Sequence, residues 1–262
     1  MQQFDTLSLT SQGSALIVTI DQPASLNALA LEVVADLEKL VEHLKTIGYE
    51  YRGIVITGAG EKSFVAGANI VQMNAMDADA AEAYGRRMHR VTEELEALQL
   101  PVIAAVNGFA LGGGCELALA CDFIYASENA SFGQPEVNLG LVPGFGGSVR
   151  LPRRVGLAMA RELIFTGRRI KAAEALRIGL ANRVVPSGEL LDTAVATIEE
   201  IAKVSPTAVS NVKNVLNQVL EVDVHAALDL EVASFRKAFD TEDSVEGRAA
   251  FVEKRKAQFP GR

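Results

Sequence analysis

The sequence predicts an α/β fold, a strand–helix layered core followed by a helical C-terminal region, and three observations predict it. Short, wholly apolar runs such as GIVITG (Gly53–Gly58) and VIAAV (Val102–Val106) have the composition of strands buried on both faces of a parallel sheet. Between such runs lie stretches with apolar residues at every third or fourth position, the period of a helix packed on one face. From about residue 188 onward the strand signal fades and only helical patterning continues. Strand–helix alternation over the first 185 residues is the pattern of α/β proteins, because parallel strands need crossover helices.

Taken in order, residues 4–10 and 15–20 carry apolar side chains at alternate positions around Gly13 and predict an N-terminal hairpin. DQPASLN reads as a loop with Asn27 as a candidate helix cap. Leu31, Val34, Leu37, Val41 and Leu44 then predict an amphipathic helix that stops at Gly48. After GIVITG comes a glycine-rich loop, GAGEKSFVAGANI, and a polar, alanine-rich helix over residues 77–98 that halts before Pro101. VIAAV ends at Asn107-Gly108. Gly112, Gly113 and Gly114 then precede CELALACD, which opens a helix with Glu116 in its first turn. A further strand leads to Glu136, just behind Pro135. Residues 148–154, 156–165 and 171–178 read as helices, the last capped by Gly179, and residues 181–186 as a short strand. Four helices follow, over 190–203, 206–220, 224–239 and 241–258, with Pro206 suited to a first turn. The expected division is therefore a core over 1–190 and a helical region over 191–262.

Composition excludes several classes. A hydrophobic fraction of 49% with 22% charged residues is that of a folded globular chain. A net charge of −8 argues against a general nucleic-acid surface. No stretch reaches the roughly 18 apolar residues of a membrane span, and MQQFDTLSLT lacks the basic start of a signal peptide. Cys115 and Cys121, six residues apart in one expected helix, are poorly placed to bond to each other, which fits a reducing, cytoplasmic setting.

Few standard motifs survive inspection. Gly58-Ala59-Gly60 follows a strand, but Ser63 stands where a dinucleotide fingerprint needs its third glycine. There is no phosphate-binding GxxxxGK[ST] loop, and Ser148 lacks the nucleophile-elbow pattern. His43, His89 and His225 are dispersed, so no metal site is expected. Cys115 at a helix start reads either as an activated thiolate or, better, as a small packing residue. Glu116 and Glu136 read either as a dipole-friendly residue and a solvated loop residue, or as a catalytic pair. Their setting among glycines and apolar residues favours the pair, since burial would raise both pKa values. Glycines at a strand-to-helix junction also bare backbone N–H groups to an anionic ligand.

NGFALGGGCELALACD, FGQPEVNLGLVPGFGG, RLPRRVG, TGRRIKAAEALRIGLANRVVP and FVEKRKAQF, with QPASLNAL and SFVAGANI nearer the start, closely resemble the enoyl-CoA hydratase/isomerase (crotonase) family over nearly the whole chain. The resemblance implies a spiral of ββα units with a C-terminal helical region that mediates trimer formation, often as a dimer of trimers. It implies an acyl-CoA substrate, with coenzyme A part of the substrate and no separate cofactor. The thioester oxygen would be held by the backbone N–H groups of Ala68 and Gly113. Glu116 would activate the water added at the β-carbon, and Glu136 would exchange the proton at the α-carbon. Gln134 and Gly144 match positions that orient glutamates and water. Leu26, Ala66, Gly67 and Ile70 match the CoA-binding segments, and Phe251 and Lys254 match residues that close over CoA. Met73, Met76, Phe109, Leu141 and Phe145 are the residues expected to line the acyl pocket, although for the methionines and Phe145 core packing is the competing reading.

The sequence also departs from the family pattern. Asn69 replaces an aspartate, and Val71 and Ala24 stand where basic residues are common. Phe145 stands where many members have a small residue. Because both glutamates are present, the activity implied is hydration of a (2E)-enoyl-CoA to a 3-hydroxyacyl-CoA. Alternatives are Δ3–Δ2 isomerisation and hydration of a branched or dicarboxylic enoyl-CoA. RNA binding is an alternative of a different class, and the acidic balance weighs against it.

Overall fold

The structure is a computed structural model and describes residues 3–262. The N-terminal hairpin pairs β1 (Leu7–Gln12) with β2 (Ala15–Ile20) around Gly13. The next elements are α1 (Leu31–Thr46), β3 (Gly53–Gly58), β4 (Ser63–Val65), α2 (Ile70–Met73) and α3 (Ala78–Ala97). Then come β5 (Val102–Val106), β6 (Phe109–Leu111), α4 (Gly113–Leu119), β7 (Phe123–Ser127) and β8 (Ser131–Gly133). The core is completed by α5 (Gly147–Val155), α6 (Leu157–Thr166), β9 (Ile170–Lys171), α7 (Ala172–Arg177), β10 (Arg183–Val185) and α8 (Leu190–Ile201). The remainder is α9 (Pro206–Gln218), α10 (Val224–Phe239) and α11 (Glu242–Glu253).

The strands form two sheets. The larger runs β1-β2-β3-β5-β7-β10, parallel except for the hairpin, and the smaller runs β4-β6-β8-β9 with β9 antiparallel. Each turn of the chain thus lays one strand in the large sheet and a short one in the small sheet before a helix returns it, which is a spiral of ββα units as expected. Side-chain alternation explains why the central strands read as continuous apolar runs. Ile54, Ile56, Val102, Ala104 and Val106 face a core that includes α1 and α3, whereas Val55, Ile103 and Ala105 face the opposite layer with Leu190, Ala194, Val195 and Ile198 of α8. Helix α8 therefore packs against the far face of the large sheet. Glu199 reinforces this, accepting from the Ser14 amide at 2.6 Å in the hairpin turn.

Several local expectations need correction. Asn27 caps no helix, since α1 is preceded by Ala30 without a side-chain cap. Instead Asn27 is fully buried, accepts from Gln22 N (2.9 Å) and donates to Ala59 O and Ser63 O (3.0 and 2.9 Å), tying three loop segments together. Helix α4 ends at Leu119, so Cys121 lies beyond it, although both cysteines are buried and free. The final helix stops at Glu253 rather than near 258. Lys254 turns left-handed (φ 57°), and Arg255 folds back to a bidentate pair with Glu246 (2.6 and 2.8 Å). The C-terminal helices are pinned to the core by Lys213 of α9, which is almost wholly buried. Its ammonium donates to Leu100 O (3.0 Å) and pairs with Asp122 (2.8 Å).

Candidate active site

Three strands of the small sheet, β4, β6 and β8, run parallel and end side by side, with Ser63 paired to Phe109 and Leu111 to Gly133. Their carboxyl ends release three loops at one edge, the usual location of ligand sites in parallel sheets. The first carries Ala66-Gly67-Ala68, the second Gly112 and the start of α4, and the third Gln134-Pro135-Glu136.

The loops fit together because two glycines let them. A Cβ on Gly114 would lie 1.9 Å from Val65 O, so only glycine lets α4 close on the end of β4. Gly112 adopts φ 50° and ψ −123°, and a Cβ there would meet Glu136 Oε1 at 2.8 Å. Ala68 forms an isolated parallel bridge with Leu29, in which Leu29 N donates to Gly67 O (2.8 Å) and Asn69 N donates to Leu29 O (3.4 Å). In that pattern the bridge bonds belong to the residues on either side of Ala68, so its own N–H is directed away from Leu29. Gly113 opens α4, where an N–H has no partner within the helix. Two main-chain donors are thus presented from adjoining loops.

Glu116 is 1% exposed, and its Oε1 accepts from the backbone N–H groups of Phe145 and Gly147, both at 2.8 Å. Burial raises its carboxyl to about 7 against the pull of those two hydrogen bonds, and the negative charge of Glu136 adds to the rise while Arg150 opposes it. Glu136 begins a 3-10 turn over Glu136–Leu139, and burial raises its carboxyl as well. With its amide nitrogen turned to that carboxylate, Gln134 donates to Oε1 at 2.9 Å and Oε2 at 3.2 Å. A Cβ on Gly147 would stand 2.8 Å from the Gln134 amide and 3.0 Å from Glu116 Oε1, so both carboxylates and Gln134 share one small volume. A buried pair of acids with raised pKa values beside two free N–H donors can move protons at a substrate whose oxygen gains charge.

The other sequence-predicted residues divide. Leu26, in a left-handed turn, accepts from Ala66 N at 3.1 Å and so flanks the first loop, with Ala66 and Gly67 at its centre and Ile70, half exposed, starting α2. Asn69, the departure from aspartate, caps α2 by accepting from Gln72 N at 3.2 Å, and Val71 is exposed. Met73 and Met76 are half-buried against the main core. Leu141 follows the Glu136 turn, its N–H donating to Glu136 O at 3.1 Å, and Gly144 is exposed on the loop that returns to Glu116. The two phenylalanines of the expected acyl pocket sit differently from its other three residues. Phe145 is a core residue, packed edge-on to Tyr84 (4.9 Å, 90°) and against Gly113, and it is its N–H that reaches Glu116. Phe109 begins β6 at the end remote from the loops, its ring beneath the Arg169 guanidinium at 5.8 Å. Phe251 and Lys254 lie on and just after α11, which packs on α9 and α10, and both are exposed. The Cys115 thiol is pushed up to about 12 by burial, which makes it the packing residue of the two readings.

Sequence reasoning missed the seat of Glu116, namely the main chain of 145–147 and Arg150, which donates to Phe145 O (3.2 Å) and holds Glu96 with two bonds of 2.8 and 2.7 Å. It also missed Tyr84. The available signal was a lone aromatic on the helical stripe Tyr84, Met88, Val91, Leu95, which marks the buried face of α3.

The sequence profile of the enoyl-CoA hydratase/isomerase family matches residues 10–262. A short-chain-enoyl-CoA hydratase of Clostridium acetobutylicum is 45% identical over 256 residues, 98% of either chain. A crotonyl-CoA hydratase of Syntrophomonas wolfei is 43% identical with the same coverage. The crystal structure of an enoyl-CoA hydratase from Bacillus anthracis superimposes with a TM-score of 0.94 at 37% identity, over 98% of this chain and all of that one.

Proposed function

From the premise that this chain belongs to the enoyl-CoA hydratase/isomerase family and is an enzyme of the enoyl-CoA hydratase type, we propose how it carries out hydration and on what. The thioester oxygen of a (2E)-enoyl-CoA accepts hydrogen bonds from the N–H groups of Ala68 and Gly113. Water bonds to the β-carbon as ionised Glu116 takes its proton, and protonated Glu136 delivers a proton to the α-carbon. The negative charge that passes through the thioester oxygen meets donors already in place, which is where a preorganised site gains most. The observation that carries this reading is the convergence of two carboxyls, both raised by burial, on the edge that also presents the two free N–H groups. Raised values for both fit a resting pair that shares one proton near neutrality, titrating as a coupled system.

Coenzyme A enters as part of the substrate, and the proposed reaction needs no separate cofactor. The acyl group we propose is short, in line with the names of the Clostridium and Syntrophomonas relatives. We also propose a trimer or dimer of trimers. Its support is the apolar surface that the C-terminal helices leave exposed, with Val232, Phe235, Phe251 and Val252 each 66% exposed or more in the single chain. No helix among the described residues is long and apolar enough to cross a membrane. A cytoplasmic setting is the companion proposal, supported by two unpaired buried cysteines.

The test is the loss of conjugated enoyl-thioester absorbance with crotonyl-CoA and longer or branched enoyl-CoAs, for wild type beside Glu116→Gln and Glu136→Gln. Hydration in wild type, lowered about 10²- to 10⁴-fold in each variant, is the expected result. Turnover indifferent to Glu116, or a 3-enoyl-CoA converted faster than a 2-enoyl-CoA, would refute it in favour of isomerisation.

A further inference from the structure

Tyr84 takes no part in the chemistry proposed above, yet it touches the supports of both halves of the site. It lies on the inner face of α3, 4% exposed, and its hydroxyl donates to the carbonyl of Leu29. Leu29 is the residue whose N–H and C=O bracket Ala68, through Gly67 O at 2.8 Å and Asn69 N at 3.4 Å. The second of these is long, so the tyrosine hydroxyl is the main anchor of that carbonyl. On its other side the Tyr84 ring meets Phe145 edge-on, centroids 4.9 Å apart, and the Phe145 N–H is one of the two that hold Glu116.

We infer that Tyr84 is a positioning residue for the hydration reaction, one that fixes the direction of the Ala68 amide through the Leu29 carbonyl while its ring seats the Phe145 peptide that binds Glu116. The inference rests on the reading of Ala68 as a donor to the thioester oxygen. Loss of the hydroxyl leaves Leu29 O with only its long bond and lets the Leu29–Ala68 bridge shift. The amide at Ala68 then aims less well at an oxygen that binds strongly only when charged. The ring contact survives a change to phenylalanine, so the seat of Glu116 is preserved and the two roles separate.

The experiment uses the full chain as wild type and Tyr84→Phe, with two readouts. The first is kcat and KM for crotonyl-CoA. The second is the carbonyl stretch of bound butyryl-CoA labelled with ¹³C at the thioester carbon, a ligand with no double bond to hydrate, read by isotope-edited infrared difference. Wild type is expected to shift the bound carbonyl to lower frequency than the free thioester. Tyr84→Phe is expected to shift it less and to lower kcat about fivefold to tenfold, the scale of one buried neutral hydrogen bond, with KM little changed. A merely structural role would lower the melting temperature and leave the carbonyl frequency of the folded enzyme where it was. An unchanged carbonyl shift and kcat in Tyr84→Phe overturns the inference. A wild-type enzyme that hydrates crotonyl-CoA but does not shift the bound carbonyl overturns the oxyanion reading on which it rests. Should Tyr84→Phe fail to fold, 3-fluorotyrosine placed at position 84 supplies a stronger donor in the same shape. A deeper carbonyl shift then supports the inference, and an unaltered one overturns it.

Discussion

Glu116→Gln is expected to abolish most of the activity and at the same time to stabilise the protein, by an amount that depends on pH in a calculable way. The substitution removes an ionisable group yet keeps an amide oxygen for the N–H groups of Phe145 and Gly147. Burial raises this carboxyl from 4.5 to about 7 in the folded state. Below pH 4.5 the group is neutral folded or unfolded and carries no penalty. As pH rises from 4.5 through 7 the unfolded chain ionises first, so folded stability is lost over that window and then levels. At about 1.36 kcal/mol per tenfold, the penalty is under about 1 kcal/mol at pH 5 and about 3 kcal/mol at pH 8. For a chain of this size that corresponds to a melting temperature raised by about 1–3 °C at pH 5 and about 6–12 °C at pH 8. Thermal melts of both proteins from pH 5 to 8, at one fixed concentration so that assembly is held constant, measure it directly. A variant no more stable than wild type at pH 8, or a gain that does not grow with pH, would refute the argument that Glu116 is held as a costly buried carboxylate.

Other sites give sharper or simpler outcomes. Arg150→Gln removes a positive charge that lowers the Glu116 pKa, so the acid limb of the kcat/KM profile is expected to move to higher pH, and an unmoved limb counts against that coupling. Gly114→Ala forces a Cβ to 1.9 Å from the Val65 carbonyl; a loss of about 2–3 kcal/mol in denaturant unfolding, with activity lost too, is expected from the displaced α4. Lys213→Met leaves the partly exposed Asp122 carboxylate with the Val102 N–H but no cation and is expected to cost about 2 kcal/mol, whereas Lys213→Met with Asp122→Asn should recover part of that, as a double-mutant cycle would show.

Much of this architecture is legible in the amino-acid sequence, and the exceptions have physical causes. GIVITG and VIAAV announce central parallel strands because both faces are buried and apolar residues are needed on each. The small sheet is hidden, since β4, β6, β8 and β9 are only two or three residues long and no period can be read from so few. That sheet nevertheless explains why Glu116 and Glu136, twenty residues apart, meet: each follows a strand of one parallel pair. Asn27 misleads because the residue type that caps helices equally well satisfies three loop backbone groups in the interior. Phe145 stays ambiguous in sequence because an aromatic among glycines fits a pocket wall or a core, and its packing on Tyr84 and Gly113 carries no sequence signature. The seat of Glu116 escapes sequence reading altogether, because main-chain N–H groups carry no letter.

That last property has a consequence for how such a chain tolerates mutation. The peptide hydrogens of Ala68 and Gly113 are properties of the main chain that every residue but proline has, provided the glycines at 112 and 114 let the loops close. Glu116 and Glu136, in contrast, are each erased by a single codon change. On the mechanism proposed above, random substitution would therefore tend to spare the hold on the thioester oxygen while it removes, or alters, the proton transfers. In that mechanism the hold is a property of the backbone and its few supports, and the proton transfers belong to two side chains.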